Sequence, residues 1–323
     1  MLQLAAFTIA SGFVLAAAAY WLRRTWAGLA GRLRWPLGVA LGLLTLIWLL
    51  GAYSFLIEPE SLVVRRVEIV SANWHGAPLT IAAIGDTHVG GPHVDAARMG
   101  RIVRRINELH PDLVVMLGDY VAGPVPEAHR SPSENQDILG GIATMAAINS
   151  RYGIVAIIGN HDSWYGRQTI TTALQNAGAA ALWNRNIAIH RSGGMIVIVG
   201  LADKWTGDPD FGEALDGAPP GADVIVLSHN PDPFAHMPPG PALMLAAHTH
   251  CGQVTIPFVG RPFLPIRHKE FACGRVDRNG QTLYVTAGIG TSGPPLRFLN
   301  PPEITLLTIR ASGRSSPRIA PAE

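Results

Sequence analysis

Cysteine is scarce. Only Cys251 and Cys273 occur in 323 residues, which excludes a disulfide-stapled scaffold and any cysteine-based metal spacing. Whether the two pair or stay free thiols is open in the sequence. Acidic residues are missing from the first 57 positions, the earliest being Glu58. Charge of either sign is missing from Leu2–Leu22 and from Leu37–Ile57. Each stretch is long enough for a bilayer, which takes roughly 20 residues. Neither has a polar face, which disfavours two buried helices of a soluble fold. A positively charged leader before the first stretch is also missing, so a cleaved signal peptide is disfavoured in turn. A basic domain is lacking too. Without Arg23, Arg24, Arg32 and Arg34, 21 basic residues face 23 acidic ones, so the chain after Ile57 is net −2. That balance argues against a nucleic-acid-binding surface. Before the C-terminal tail there is no internal repeat and no low-complexity block.

What is present divides into three parts. Residues 1–57 read as a membrane hairpin of two transmembrane helices around the Arg-rich loop 23–34. Four arginines without an acid favour the cytoplasmic side for that loop, which puts everything after Ile57 outside; Arg65 and Arg66 pull the other way. Trp21, Trp35, Trp48 and Tyr53 suit a membrane-interface or spanning role. Residues 58–310 read as one α/β domain, and 311–323 have the composition of a disordered tail. Within the domain, strands are expected near Leu62–Val70, Ile81, Leu113, Ile154, Ile187–His190, Met195–Leu201, Val224 and Leu243. Helices are expected at about Val94–Leu109, Asn135–Ile148 and Arg167–Ala177, with a short one near Glu213. Turns fall at Ser192–Gly194 and at Asn279-Gly280, the latter within a β-rich stretch, Gln253–Ile309. Strand–helix alternation followed by further strands predicts a four-layer α/β/β/α sandwich of two sheets.

Five of the expected strands end in residues that bind metals: Asp86 and His88, Asp119, Asn160 and His161, His229, and His248 and His250. Ligands of open α/β sheets sit outside the carboxyl ends of the strands. Partners spaced i and i+2 at a strand end point the same way. Carboxylate, imidazole and amide donors together suit Mn, Fe or Zn rather than Ca. Three or four protein ligands hold one zinc, and seven of these eight candidates are enough for two ions sharing a carboxylate.

Gly85-Asp-Thr-His88, Gly118-Asp-Tyr120, Gly159-Asn-His-Asp162, Ser228-His229 and His248-Thr-His-Cys-Gly-Gln253, in that order, resemble the calcineurin-like metallophosphoesterase superfamily. The resemblance covers roughly Val67–Ile309. Through Gly288-Ile-Gly-Thr-Ser-Gly293, Leu296-Arg-Phe298 and Pro302-Glu-Ile304 it extends to the bacterial membrane-associated branch of YaeI- and YkuE-like phosphodiesterases. It implies a phosphoric ester hydrolase with two divalent ions (Mn, Fe or Zn), one on Asp86, His88 and His250, the other on Asn160, His229 and His248, with Asp119 bridging. It implies metal-activated hydroxide attack on phosphorus, with His161 stabilising the transition state or protonating the leaving oxygen, and Asp162 orienting His161 or pairing with a nearby group. The expected setting is the bacterial inner membrane, multi-pass, with the catalytic domain on the extracytoplasmic side and a phosphorylated small molecule or lipid as substrate. Ala247 and Cys251 stand where the superfamily more often has glycine. Ala287 stands where the branch often has Arg, which leaves Arg297 as the nearest candidate for a phosphate contact.

Gly288–Gly293 matches a dinucleotide fingerprint by letters, but Pro294-Pro295 follows instead of a helix, so a turn is expected. His75, His93, His110, His129, His190, His236 and His268 suit surface or structural roles. Trp164 and Tyr165 suit either a substrate groove or core packing. Specificity is expected in the loops Ala122–Ser133, Trp205–Pro220 and Phe258–Lys269. The functional alternatives are a nuclease of the same fold and a non-catalytic, metal-stabilised membrane scaffold.

Overall fold

A computed structural model describes residues 2–191 and 194–312. The expected tail from residue 313 onward and the centre of the 192–194 turn lie outside the described residues. Two helices open the chain, α1 (Leu2–Thr25) and α2 (Gly31–Ala52). They lie side by side, with Trp48 Nε1 donating to Ser11 Oγ at 3.0 Å. Beyond α2 the helical path continues through Tyr53–Ile57 and Glu58–Glu60. Among the described residues, one helical stretch, Gly31–Glu60, is long and apolar enough by length and composition to cross a membrane.

The strands are β1 (Val63–Ser71), β2 (Leu79–Ile84), β3 (Leu113–Met116), β4 (Ile154–Ile157), β5 (Ala179–Leu182), β6 (Arg185–Arg191), β7 (Gly194–Gly200), β8 (Asp223–Ser228), β9 (Leu243–Ala246), β10 (Gly274–Arg278), β11 (Gln281–Val285) and β12 (Glu303–Ala311). They form two six-stranded sheets, ordered β1-β12-β2-β3-β4-β5 and β10-β11-β9-β8-β7-β6. Successive side chains on a strand face opposite ways, so each apolar run feeds two cores. Ile81, Ala83, Leu113 and Val115 meet Ile198, Ile225, Leu227 and Leu245 between the sheets. Ala82, Ile84, Val114 and Met116 face α3 (Ala96–Glu108), α4 (Pro132–Ala143) and α5 (Asn160–Asn176) through Ile102, Ile106, Ile138, Ile142 and Ile170. The far face of the second sheet is covered by α6 (Phe211–Leu215) and by Phe234 and Phe271. This is the α/β/β/α sandwich the alternation of elements implies.

Two helix boundaries differ from the sequence expectation. A helical turn from Asn160 precedes the stretch expected from Arg167, and the two are separated by a break at Gly166 (φ 156°). The helix expected from Asn135 starts at Pro132, because Ser131 and Glu134 form a reciprocal cap. It gives way at Thr144 to a tighter turn ending at Ala147. Strands β2, β3 and β4 run parallel, as do β7, β8 and β9, and both sets end towards one site.

Candidate metal centre

The sandwich brings all seven expected ligands together, each of them buried. Each follows a strand: Asp86 and His88 after β2, Asp119 after β3, Asn160 after β4, His229 after β8, His248 and His250 after β9. The turns are tight. Asp86, His88, Asp119, His248 and His250 all adopt positive φ, between 47° and 69°, a region that side-chain-bearing residues enter at a cost and that clusters at functional sites. Glycine is required beside them. A Cβ on Gly118 (φ 87°) would lie 2.6 Å from Gly159 N, and one on Gly159 would lie 2.2 Å from Asp119 Oδ1.

Three groupings have ligand atoms within 4.8 Å of one another: Asp86, His88 and His250; His88, Asp119 and His161; and Asp119, His229 and His248. Asp119 Oδ2 is 3.2 Å from His229 Nε2 and 3.8 Å from His88 Nε2. Asn160 Oδ1 is 3.2 Å from His229 Nε2. His88 Nε2 and His250 Nε2 are 3.1 Å apart, and His248 Nδ1 and His229 Nε2 are 3.2 Å apart. The outer ring nitrogens are engaged by main-chain carbonyls: His88 Nδ1 by Val121 (3.0 Å), His229 Nδ1 by Leu117 (2.8 Å) and His248 Nε2 by Pro265 (3.3 Å). Donation outward fixes the tautomer and turns the other lone pair inward.

This donor set fits divalent ions. In neutral form His229 and His248 present two lone pairs 3.2 Å apart, with a carboxylate oxygen and an amide oxygen beside them. Only a proton or a cation satisfies that convergence. Tetrahedral nitrogen ligands about 2.0–2.1 Å from one zinc would themselves stand ~3.4 Å apart. Burial holds His88 down to about 4 and His248 down to about 3, and it lowers His250 well below its usual range. All three imidazoles are therefore neutral, the ligand form, at pH 7. Burial also lowers His229, but attraction and a hydrogen bond from Asp119 outweigh it and lift it to about 10; Asp119 is correspondingly depressed. Burial raises Asp86 to about 7, against the pull of His229. Without metal, His229 keeps a proton near neutrality and Asp86 is partly protonated. Ligands must shed protons to bind. Metal affinity should therefore rise with pH until His229 titrates near 10, and calorimetry in buffers of different ionisation enthalpy should read a net proton release. Binding without release would contradict this protonation pattern.

Asp162 does not touch the His161 ring. Its carboxylate accepts four main-chain N–H bonds, from Asp119 (2.8 Å), Tyr120 (2.7 Å), Val121 (3.1 Å) and Gly159 (2.9 Å), and so holds the loop that carries Asp119. Burial, then Asp119, pushes Asp162 up to about 8. Yet these four partners are donors, so the ionised form fits this cradle. Asp162→Asn would turn an NH2 group towards two of these donors, each lost bond costing ~1–3 kcal/mol. A destabilisation of about 3 kcal/mol or more is expected, read as a lower denaturation midpoint with a fall in metal content. An unchanged midpoint would count against the cradle.

Arg297 stands behind His250, fully buried. Its guanidinium donates to the carbonyls of Ala287, Gly290 and Asn300, and its Nη2 lies 3.4 Å from His250 Nδ1. It supports the ligand loop and is walled off from any phosphate in the cavity. His161 is different: it lines the cavity, its Nδ1 is buried without a hydrogen-bond partner, and its Nε2 is 3.9 Å from Asp119 Oδ2. Trp164 packs beside it at 5.0 Å between ring centroids, whereas Tyr165 belongs to the core. Ala247 packs against Gly85, whose lack of a side chain leaves room for it. Cys251 pairs with Cys273, so the free-thiol reading is set aside.

Sequence reasoning missed several supports. Asp203, buried, accepts from Trp205 N and Thr206 N at 2.9 Å and helps lift His229. It fixes the loop whose Trp205 ring meets His248 edge-on at 4.6 Å. Asp203 follows β7 as the ligands follow their strands, the one signal that would have found it. Asn300 donates to His250 O at 2.6 Å, and Glu58 accepts the Leu299 N–H at 2.9 Å and that of Asn300. A cavity of about 720 Å³ runs from Asp119, His161 and His248 to Val254, Phe263 and Leu296.

Fold and site together define a metallophosphoesterase. Residues 79–252, more than half of the chain, match the calcineurin-like phosphoesterase family, and the chain belongs to that family. It is 30% identical to phosphodiesterase YaeI of Escherichia coli over 265 residues, which cover 80% of this chain and 92% of YaeI. It is 30% identical to the metallophosphoesterase YkuE of Bacillus subtilis over 214 residues, 65% of this chain and 72% of YkuE. It is 29% identical to a transmembrane protein with metallophosphoesterase domain from Danio rerio over 253 residues, 72% of this chain and 53% of that protein.

Proposed function

We propose that the protein is a membrane-anchored phosphohydrolase that uses two divalent metal ions to cleave phosphodiester or pyrophosphate bonds of a lipid or cell-envelope substrate. One observation carries the reading: Asp119 stands between the His88 side of the cluster and the His229 side, within 3.8 Å and 3.2 Å of the respective nitrogens. One ion would be held by Asp86, His88 and His250, the other by Asn160, His229 and His248, with Asp119 shared. When bound, Mn, Fe or Zn supplies positive charge at the phosphoryl oxygens and lowers the pKa of water. The chain's own groups do the rest. Neutral imidazoles hold the ligand geometry through their carbonyl partners, and His161 offers a ring nitrogen to a leaving oxygen at the cavity wall. Trp164 and Trp205 narrow the approach.

Residues 1–57 would form the membrane hairpin and residues 58–310 the catalytic body, on the extracytoplasmic side of the inner membrane. Support comes from the length of Gly31–Glu60, from the four arginines before Trp35, and from the Cys251–Cys273 disulfide, a bond that persists in oxidising compartments. The description of YaeI as a phosphodiesterase favours the diester.

The test is hydrolysis of bis-(p-nitrophenyl) phosphate against the monoester, using full-length protein stripped with chelator and reloaded with Mn, Zn or Fe. Diester cleavage should vanish on stripping and return as about two ions per chain are restored. Inactivity with two ions bound would overturn the diester reading.

A further inference from the structure

Outside the N-terminal helices, the exposed large apolar side chains among the described residues are unevenly placed. Ile256, Phe258, Val259 and Phe263 share one hairpin, and Leu299 sits beside its base. The hairpin is well formed: Ile256 and Gly260 exchange main-chain bonds at 2.8 Å, and Phe258, fully exposed, takes φ 67° at its tip. The flanking chain is one-signed. From Gly252 to Lys269 there is no Asp or Glu, while Arg261, Arg267 and Lys269 are all exposed. An apolar tip with a basic flank suits the boundary between lipid tails and anionic headgroups.

The base of this hairpin is tied to the end of the apolar helix. Val254 bridges to Phe298, and Thr255 N donates to Phe298 O at 2.8 Å. On either side of Phe298, Arg297 N donates to Ser54 O at 3.0 Å and Leu299 N donates to Glu58 at 2.9 Å. Phe258 is four residues from Val254, a reach of at most ~13 Å at about 3.3 Å per residue. The helix end therefore lies within that reach of the hairpin tip plus two main-chain-bonded spacings of about 5 Å each, across the Arg297–Leu299 segment. Phe263, at the root, also lines the cavity that leads to Asp119 and His248.

We propose that the hairpin Ile256–Phe263, with Leu299, is a membrane-contact surface that seats the mouth of the metal-centre cavity on the lipid headgroup layer. The occupant of the apolar face is the bilayer itself, and the basic flank meets anionic headgroups. The inference rests on the proposed spanning of the membrane by Gly31–Glu60. It makes a substrate with an apolar chain the natural one: the chain would stay beside Phe263 while the phosphate enters towards Asp119.

The test uses the full-length protein in nanodiscs containing phosphatidylglycerol, with the native disulfide intact. Phe258→Cys and, separately, Leu44→Cys are labelled with an environment-sensitive fluorophore and challenged with lipids bearing a nitroxide just below the headgroup or deep in the acyl chain. The Phe258 label should be quenched several-fold by the shallow nitroxide, and the Leu44 label by the deep one. A quenched Leu44 label beside an unquenched Phe258 label would overturn the contact surface and leave the spanning helix standing. If neither is quenched, the spanning reading fails and the contact surface falls with it. Shielding of the Phe258 label that persists in lipid-free detergent and grows with protein concentration would assign the face to a second copy of the chain instead.

Discussion

Asp119→Ala should abolish metal-dependent hydrolysis, with a loss at least on the order of 10³-fold, because single supporting contacts around a metal already cost ~10–100-fold. The substitution removes the carboxylate that faces both halves of the cluster. It also removes what lifts His229 above its usual range and the acceptor of the His161 main-chain N–H, at 2.9 Å. With that carboxylate gone, the imidazoles of His229 and His248 still face each other at 3.2 Å, but of the carboxylates that act on His229 only the weaker ones, Asp86 and Asp203, remain to offset the charge of a bound cation. Metal analysis should show fewer ions per chain than the parent, together with lost turnover. Full metal content with lost activity would separate catalysis from binding and assign Asp119 only the former. Retained activity would remove Asp119 from the site altogether.

Much of this centre is readable in the linear chain because strands with both faces buried are short and apolar throughout, so the polar residue after each one stands out. Ile81–Ile84 before Asp86 and Leu243–Ala246 before His248 show the pattern. The adjacency of β2, β3 and β4 and of β7, β8 and β9 follows from the same parallel units, whereas β12 enters between β1 and β2 from the far end of the chain, antiparallel to β2. Less readable is the backbone at the site. Positive φ at Asp86, His88, Asp119, His248 and His250 is imposed by the surrounding fold, against local preference. Asp162 looks like a partner for the adjacent His161, but the tight turn aims its carboxylate back at four main-chain N–H groups. Arg297 looks like a free cation near a phosphate site. Burial among carbonyls makes it a brace for His250, a role that depends on contacts too distant in sequence to be seen there. The tie from Glu58 through Asn300 to His250 spans more than two hundred residues, so only the folded chain shows that the end of the apolar helix and a candidate metal ligand hold the same loop.

His161→Gln should lower turnover by about 10²–10⁴-fold, the range for a lost proton donor, while the ions stay bound. The side chain lies at the cavity wall, 4.7 Å from the His88 ring and 5.0 Å from Trp164 between centroids. Its nearest charged neighbour, Asp119 Oδ2, is 3.9 Å from Nε2, longer than the 3.2 Å of His229. The contact that matters for the ligand loop comes from its main chain and survives the substitution. His161 is also grouped with His88 and Asp119 as a possible metal holder, and two measurements separate the roles. A ligand would take metal content down with it, whereas a proton donor leaves the content unchanged. A proton donor matters most for a poor leaving group. The loss should therefore be large for an alkyl diester and small for bis-(p-nitrophenyl) phosphate, whose leaving group departs without a proton. Equal losses on both substrates, with metal content intact, would leave stabilisation of charge at phosphorus as the role of His161.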